Sequence, residues 1–439
     1  MAQVMPMRTA AETGLARLFE TVSPNLPGDP AARAEAFRDF SDVGLPHRRV
    51  EAFKYTDLRA AMREAAPFAP APDAATATAV LDGAAGFAGI AAARLSFVNG
   101  HLVREASDLS ALPAGVTVTP LGKALAAGDP ALANLNPVQQ TRENVVYRLN
   151  SAFMADGAVI RVAAGARVPT PLHLRFVGTG SDAFATATRF LVMVEEGASI
   201  EILETHEGPD GVAYQPNDVM DVVIGDRATF RHARLNGEGR DALALSTLAV
   251  RLGAESRLET VNVVAGATLS RHQVYLGFQG ESATAQVNGV AMIGAGRHAD
   301  STLLADHAAP GCESRELFKT VIDGEAVGVF QGKIIVQPHA QKTDGRMMSA
   351  CVLLSDGGQM MNKPELEIFA DDVQCAHGAT CGALDDDLLF YLMARGIPRP
   401  EAENLMLSSF LGEAVEVVRN EAAREQLEGV IESWLQARR

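Results

Sequence analysis

Between residues 158 and 366 the chain repeats one short plan: an apolar strand, a small-residue turn and another strand. AVIRVAAGARV, FLVMVEEGASIEIL, DVVIGDRATFRHARL, LAVRLGAESRLETVNVV, LGFQGESATAQVNGV and FKTVIDGEAVGVF are instances of it. Their turn glycines, Gly165, Gly197, Gly225, Gly253, Gly280 and Gly324, recur mostly about 27 to 33 residues apart, a solenoid-like period. No helical pattern of about ten residues interrupts them, which removes the strand–helix alternation of α/β folds. A β-helix and a sandwich of hairpins remain. Strands of similar length, recurring through roughly 200 residues, favour the β-helix.

At 439 residues the chain has room for two or three domains, or for one elongated core with appendages. Its formal charge of −16 argues against nucleic acid, whose binders show a basic footprint, and against an anionic membrane surface. Four cysteines in this length make no disulfide framework and fit a reducing compartment. MAQVMPMRTAAETG lacks a continuous apolar stretch, and no run approaches the roughly 18 apolar residues of a membrane span. These readings together predict a cytoplasmic protein.

Residues 1–66 carry helical spacing in Leu15, Leu18 and Phe19 and again in Ala32, Ala36, Phe37 and Phe40, with Pro24, Pro27 and Pro30 between. GLPHRRVEAFKYTDL is basic and aromatic within an acidic chain and reads as a helix start with solvated charges. Residues 65–93, rich in Ala and Pro, read as a linker or weakly ordered connection. In LSFVNGHLV, Asn99-Gly100 predicts a hairpin, and helical character follows over 121–135. After the repeats, Asp385 to Asp387 place negative charge at a helix N-terminus, LLFYLMAR follows, and Gly396, Pro398 and Pro400 end that helix. A longer amphipathic helix carries Leu405, Leu407, Phe410, Leu411, Val415 and Val418, and a last one ends near Trp434 and Leu435. These helices hold more apolar surface than a small tail can bury, which predicts a packing partner.

The reactive side chains gather near the end of the repeats. If residues 366–377 form one strand, Leu366, Ile368 and Ala370 share a face. Glu365, Glu367, Phe369, Asp371, Val373, Cys375 and His377 share the other. A carboxylate beside His377 would then favour the imidazolium, which in turn favours thiolate at Cys375. Cys375, His377 and Cys381 suit a soft metal or a cluster; equally, they read as a buried Cys beside a surface His. Cys312 and Cys351 read as core or turn residues. GVFQGKI fails as a phosphate loop, because Gly328 lies too close to Gly332 and Ile334 replaces the Ser or Thr, and reads as a tight turn. Neither a dinucleotide fingerprint nor a nucleophile elbow is present.

NKPELEIFADDVQCAHGATCGALDDDLLFYLMARGIP closely resembles the SufB/SufD family of iron–sulfur cluster assembly proteins, in its SufD branch. GLPHRRVEAFKYTDL and VFQGKIIVQPHAQKTDG resemble the branch's N-terminal motif and central strand segment, although Phe53 stands where Trp is usual and Met347-Met348-Ser349 replaces a more polar stretch. The resemblance implies a right-handed parallel β-helix over 95–383, with helical regions at 1–94 and 384–439. It implies a non-catalytic subunit that pairs through its last coils with the scaffold protein SufB and docks the ATPase SufC after about residue 384. Leu405, Leu411, Val415 and Val418 are the expected docking stripe. Cys375 and His377, with Asp371, are expected at the SufB junction, serving iron entry or formation of a transient cluster, with no tightly bound cofactor. A homodimer is expected of the lone chain. The rival reading is a β-helix enzyme acting on polysaccharide, which the 5% aromatic content and the lack of a carboxylate ladder beyond Glu365, Glu367 and Asp371 disfavour.

Overall fold

The computed structural model describes residues 8–294 and 296–438. Met1 to Met7, on which part of the leader-segment expectation rests, lie outside the described residues. Alternation within the strands sets the architecture. In Ser199–Glu207, Ile200 and Ile202 point one way and Leu203 the other, and all three are buried. A strand buried on both faces belongs to a covered parallel sheet. From Asp156–Val162 to Gln374–Gly382 the chain alternates between a ten-stranded and a nine-stranded sheet, and from Ala185–Val194 onward each new strand pairs in parallel with the one before last. Registers stay aligned: Ile200 lies beside Phe230, Phe230 beside Leu258, and Leu258 beside Ala285. The chain is a parallel β-solenoid whose stacked Ile, Leu, Val and Phe side chains fill the space between the sheets. Each such side chain contributes about 1.5–3 kcal/mol by leaving water.

The repeating glycines act in two ways. Gly197 adopts φ +66°, a left-handed turn that side chains resist. At Gly280 any Cβ would lie 2.0 Å from the Ala254 nitrogen, so successive turns stack only because the side chain is missing. Asn99 and Gly100 take positive φ and join Ala93–Val98 to His101–Leu102 as the predicted antiparallel hairpin.

Two expectations are corrected. GVFQGKI is no turn but part of the continuous strand Val327–Val336. Gly332 leaves room there for Met347, whose Sδ would sit 2.1 Å from an added Cβ. The Ala/Pro-rich segment 65–93 is packed rather than loosely ordered. Asp73 caps the helix Ala74–Gly83 through Thr76, Ala77 and Leu81 are buried against Val98, and Phe87 packs edge-on against His173.

Helices cover both outer faces of the middle coils. On one, Leu203, Val261, Val263 and Val290 meet Leu407, Leu411 and Val415 of Arg399–Val415 and Leu427 and Ile431 of Glu421–Ala437. On the other, Leu243, Leu245 and Leu269 meet Leu15 of Ala10–Val22, Phe40 of Pro30–Val43 and Phe153 of Val145–Phe153. The basic N-terminal motif anchors here. Arg271, fully buried, pairs with Asp300, donates to the Ala52 carbonyl at 2.7 Å and lies 4.0 Å above the Phe53 ring. Thr56 donates to Asp300 from the same motif. The aromatic ring at position 53 is thus a seat for a buried guanidinium. No helix among the described residues is long and apolar enough to cross a membrane.

Candidate functional site

The solenoid ends on Gln359–Ile368 in one sheet and Gln374–Gly382 in the other, and neither strand has a neighbour beyond it among the described residues. QCAHGATCG contains mostly small side chains, so this last strand stays largely exposed. An exposed, unpaired edge is a template for pairing with another chain. Cys375 and His377 project from it toward the interior side. Their register partners, Gly345 and Met347, belong to Asp344–Leu353, and Met347 is part of the solenoid core. Cys375 is half-buried against that core, whereas His377 is exposed.

The single strand expected across 366–377 does not form. Ile368 ends one strand, Gln374 begins the next in the opposite sheet, and residues 369–373 turn between them. This turn stacks on the one below it: Lys342 N–H donates to the Asp372 carbonyl at 2.6 Å, and Gln341 accepts from Asp372 N–H at 2.9 Å. Glu365 and Glu367 therefore lie on the outer face of a different sheet, paired with Lys363 at 3.0 Å and Lys333 at 2.6 Å. Asp371 is exposed in the turn and is not on the strand that carries His377. Nor does the lone chain favour thiolate at Cys375. Burial, then the charges of Asp344 and Glu316, push its pKa up. Among the described residues, no group of three or more His, Cys, Asp or Glu side chains is arranged to hold a metal ion. Cys375 and His377 alone supply too few ligands for a cluster, since most use four.

The expected docking stripe is also corrected. Leu411 and Val415 are fully buried and Val418 is 5% exposed, because the packing partner these helices require is the solenoid's own outer face. Only Leu405 stays exposed. It accompanies Leu388, Phe390, Tyr391 and Met393 of Asp386–Ala394, of which Phe390 is 73% exposed.

The sequence reading missed a charged cluster inside the solenoid. Glu204 accepts from His206, from His232 at 2.9 Å and from Arg234 at 2.9 Å, all buried. Asp218 lies 3.5 Å and Glu238 3.6 Å from the other nitrogen of His206, and Tyr214 donates to Glu238 at 2.5 Å. The signal was present in ETHE, since alternation puts Glu204 and His206 on the inward face of Ile200 and Ile202. Burial and Arg234 oppose a charge on His206, but the hydrogen bond to Glu204 and the nearby Glu238 carboxylate outweigh them and hold its pKa at about 9. The folded chain thus keeps a proton that an unfolded histidine releases near 6.5. Stability from this group is complete below pH 6.5 and is lost as pH rises through about 9. The melting temperature is expected to fall across that window, and His206→Gln should flatten this component. An unchanged slope in the variant would show that His206 is neutral in the fold.

A β-solenoid with helical ends and a thiol–imidazole pair on its free edge is the protein class that these features define. The family model for the SUF system FeS cluster assembly SufBD core domain matches residues 176–410, and that for the SufBD protein N-terminal region matches 25–174. The chain belongs to the SufBD family. An iron–sulfur cluster assembly SufBD family protein of Synechocystis is 30% identical over 385 residues, covering 85% of this chain and 84% of the relative. The iron–sulfur cluster assembly protein SufD of Escherichia coli is 28% identical over 393 residues, 88% of each chain. A chloroplastic protein of Arabidopsis thaliana, ABCI7, is 33% identical over 304 residues, covering 66% of this chain and 63% of its own.

Proposed function

We propose that the chain is a SufD-type, non-catalytic subunit of an iron–sulfur cluster assembly scaffold in the cytoplasm. Its last coil pairs with a SufB-type subunit, its C-terminal helices hold a SufC-type ATPase, and Cys375 or His377 assists iron entry or formation of the nascent cluster. The observation that carries this reading is the unpaired, exposed edge Gln374–Gly382 with both side chains on it. A second chain added there supplies the ligands that one thiol and one imidazole lack, and a second copy of this chain takes the same edge when SufB is absent. The polysaccharide reading loses support, because the chain's own helices cover both outer faces of the middle coils.

Co-expression with SufB- and SufC-type partners tests the assembly: all three should copurify, and failure of both partners to bind overturns the proposal. Within the purified complex, His377→Ala and Cys375→Ala should lower cluster yield per assembled complex in anaerobic reconstitution. Wild-type yield from both variants would leave them a packing role only. For the ATPase, the exposed patch replaces the buried stripe as the docking surface. Phe390→Asp combined with Leu405→Asp should weaken ATPase binding by about 30-fold or more, the effect of losing an interface anchor worth about 2 kcal/mol. Unchanged affinity by titration calorimetry would place the dock elsewhere.

A further inference from the structure

The last two strands of one sheet bring two cysteines together. Cys351 of Asp344–Leu353 and Cys381 of Gln374–Gly382 are register partners in a parallel pair. In-register neighbours point their side chains to the same face, with strands about 4.7–4.9 Å apart. A disulfide needs Cα atoms about 4.4–6.8 Å apart and Cβ atoms about 3.5–4.5 Å apart, so closure asks the two strands to approach by about 1 Å. The strand that must move is the free edge, with Ala379, Thr380 and Gly382 beside the thiol. Burial, and then the neighbouring Cys381, push the Cys351 thiol up.

Their exposures differ in a useful way. Cys381 is exposed, whereas Cys351 is 4% exposed and sits among core side chains. The remaining cysteines are poorly placed for either. Cys375 lies opposite Gly345, six positions and roughly 20 Å along the same strand from Cys381. Cys312 is buried, with its thiol donating to the Gly280 carbonyl at 3.3 Å.

We propose that Cys351 and Cys381 form a redox-active dithiol that closes to a disulfide by exchange with a low-molecular-weight disulfide. Cys381, as thiolate, attacks one sulfur of the reagent, forming a mixed disulfide and expelling one thiolate. Cys351 gives up its proton and attacks the Cys381 sulfur, which forms the protein disulfide and expels the second thiolate. The two protons lost by the cysteines end on the two expelled thiolates. The protein dithiol is oxidised by two electrons and one reagent disulfide is reduced to two thiols. The exposed thiol meets the reagent and the buried one resolves it, consistent with access as the determinant of which sulfur reacts first. Both thiols belong to this chain, so the exchange needs no partner side chain, and a second chain paired on Gln374–Gly382 would slow it by covering Cys381.

The test incubates the full chain with oxidised glutathione, then counts thiols and maps peptides by mass spectrometry without reduction. The wild-type count is expected to fall from four to two, with a Cys351–Cys381 cross-linked peptide and no glutathione retained. Cys351→Ser should trap glutathione on Cys381, and Cys381→Ser should leave Cys351 as a free thiol. Glutathione retained on Cys381 in the wild-type chain, an unreacted Cys381, or a link to Cys312 or Cys375 would overturn the proposal. The wild-type peptide map separates these outcomes even if the buried substitution prevents folding.

Discussion

Arg271→Ala is expected to destabilise the protein by about 3–5 kcal/mol, the cost of breaking a buried ion pair by removing one partner. Arg271 and Asp300 are both fully shielded from water. Without the guanidinium, the Asp300 carboxylate keeps two hydroxyl donors among the described residues, Thr56 and, at 2.9 Å, Thr302. The substitution also removes the bond to the Ala52 carbonyl and the stacking on Phe53, so the N-terminal segment should detach from the sheet. Urea unfolding measures the cost, and limited proteolysis near residue 52 reports the detachment. Thr56→Val should cost less, because the ion pair survives. A loss under about 1 kcal/mol for Arg271→Ala would mean that the pair is solvated in solution, where such pairs are worth little.

Truncation after Ala383 is expected to yield an aggregating chain rather than a soluble solenoid. Although the coils contact mainly their neighbours, the removed helices carry Leu407, Leu411, Val415, Leu427 and Ile431, all buried against the solenoid. Their loss uncovers Leu203, Val261, Val263 and Val290 as one contiguous apolar face, the kind of patch that drives association. Leu411→Ala should already cost about 2–5 kcal/mol, as a cavity in a packed core does. Size-exclusion chromatography and dye binding to exposed apolar surface check both chains. A monodisperse truncated chain without dye binding would show that the helices are an appendage. Loss of ATPase binding by an aggregated truncated chain would be uninformative, which is why the exposed Phe390 and Leu405 are the better probes of the proposed dock.

Much of the solenoid was legible because its rules are local. Alternation assigns Ile200, Ile202, Glu204 and His206 to one face of one strand, and Gly197 or Asn99-Gly100 marks a turn whose φ values need no distant partner. The candidate edge was less legible. A turn of five residues after Ile368 is enough to move Cys375 and His377 to another sheet, away from Glu365 and Glu367. The apolar runs on either side of that turn read as one alternating strand, since turn and strand share residue types here.

By itself, then, the sequence determined the strand periods, the turn positions, the caps of the terminal helices and the motif that carries the thiol and imidazole. Each depends on interactions within a few residues of the chain. Only the tertiary structure decided which helix faces were buried, because Leu411 and Val415 look alike whether their partner is another protein or Val261 some 150 residues earlier. It likewise decided that Arg271 lies on Phe53, that Glu204 meets His232 and Arg234, and that Cys381 stands beside Cys351. The last two contacts follow from the register of coils about 30 residues apart, and register is fixed by the packing of the whole solenoid rather than by any one strand.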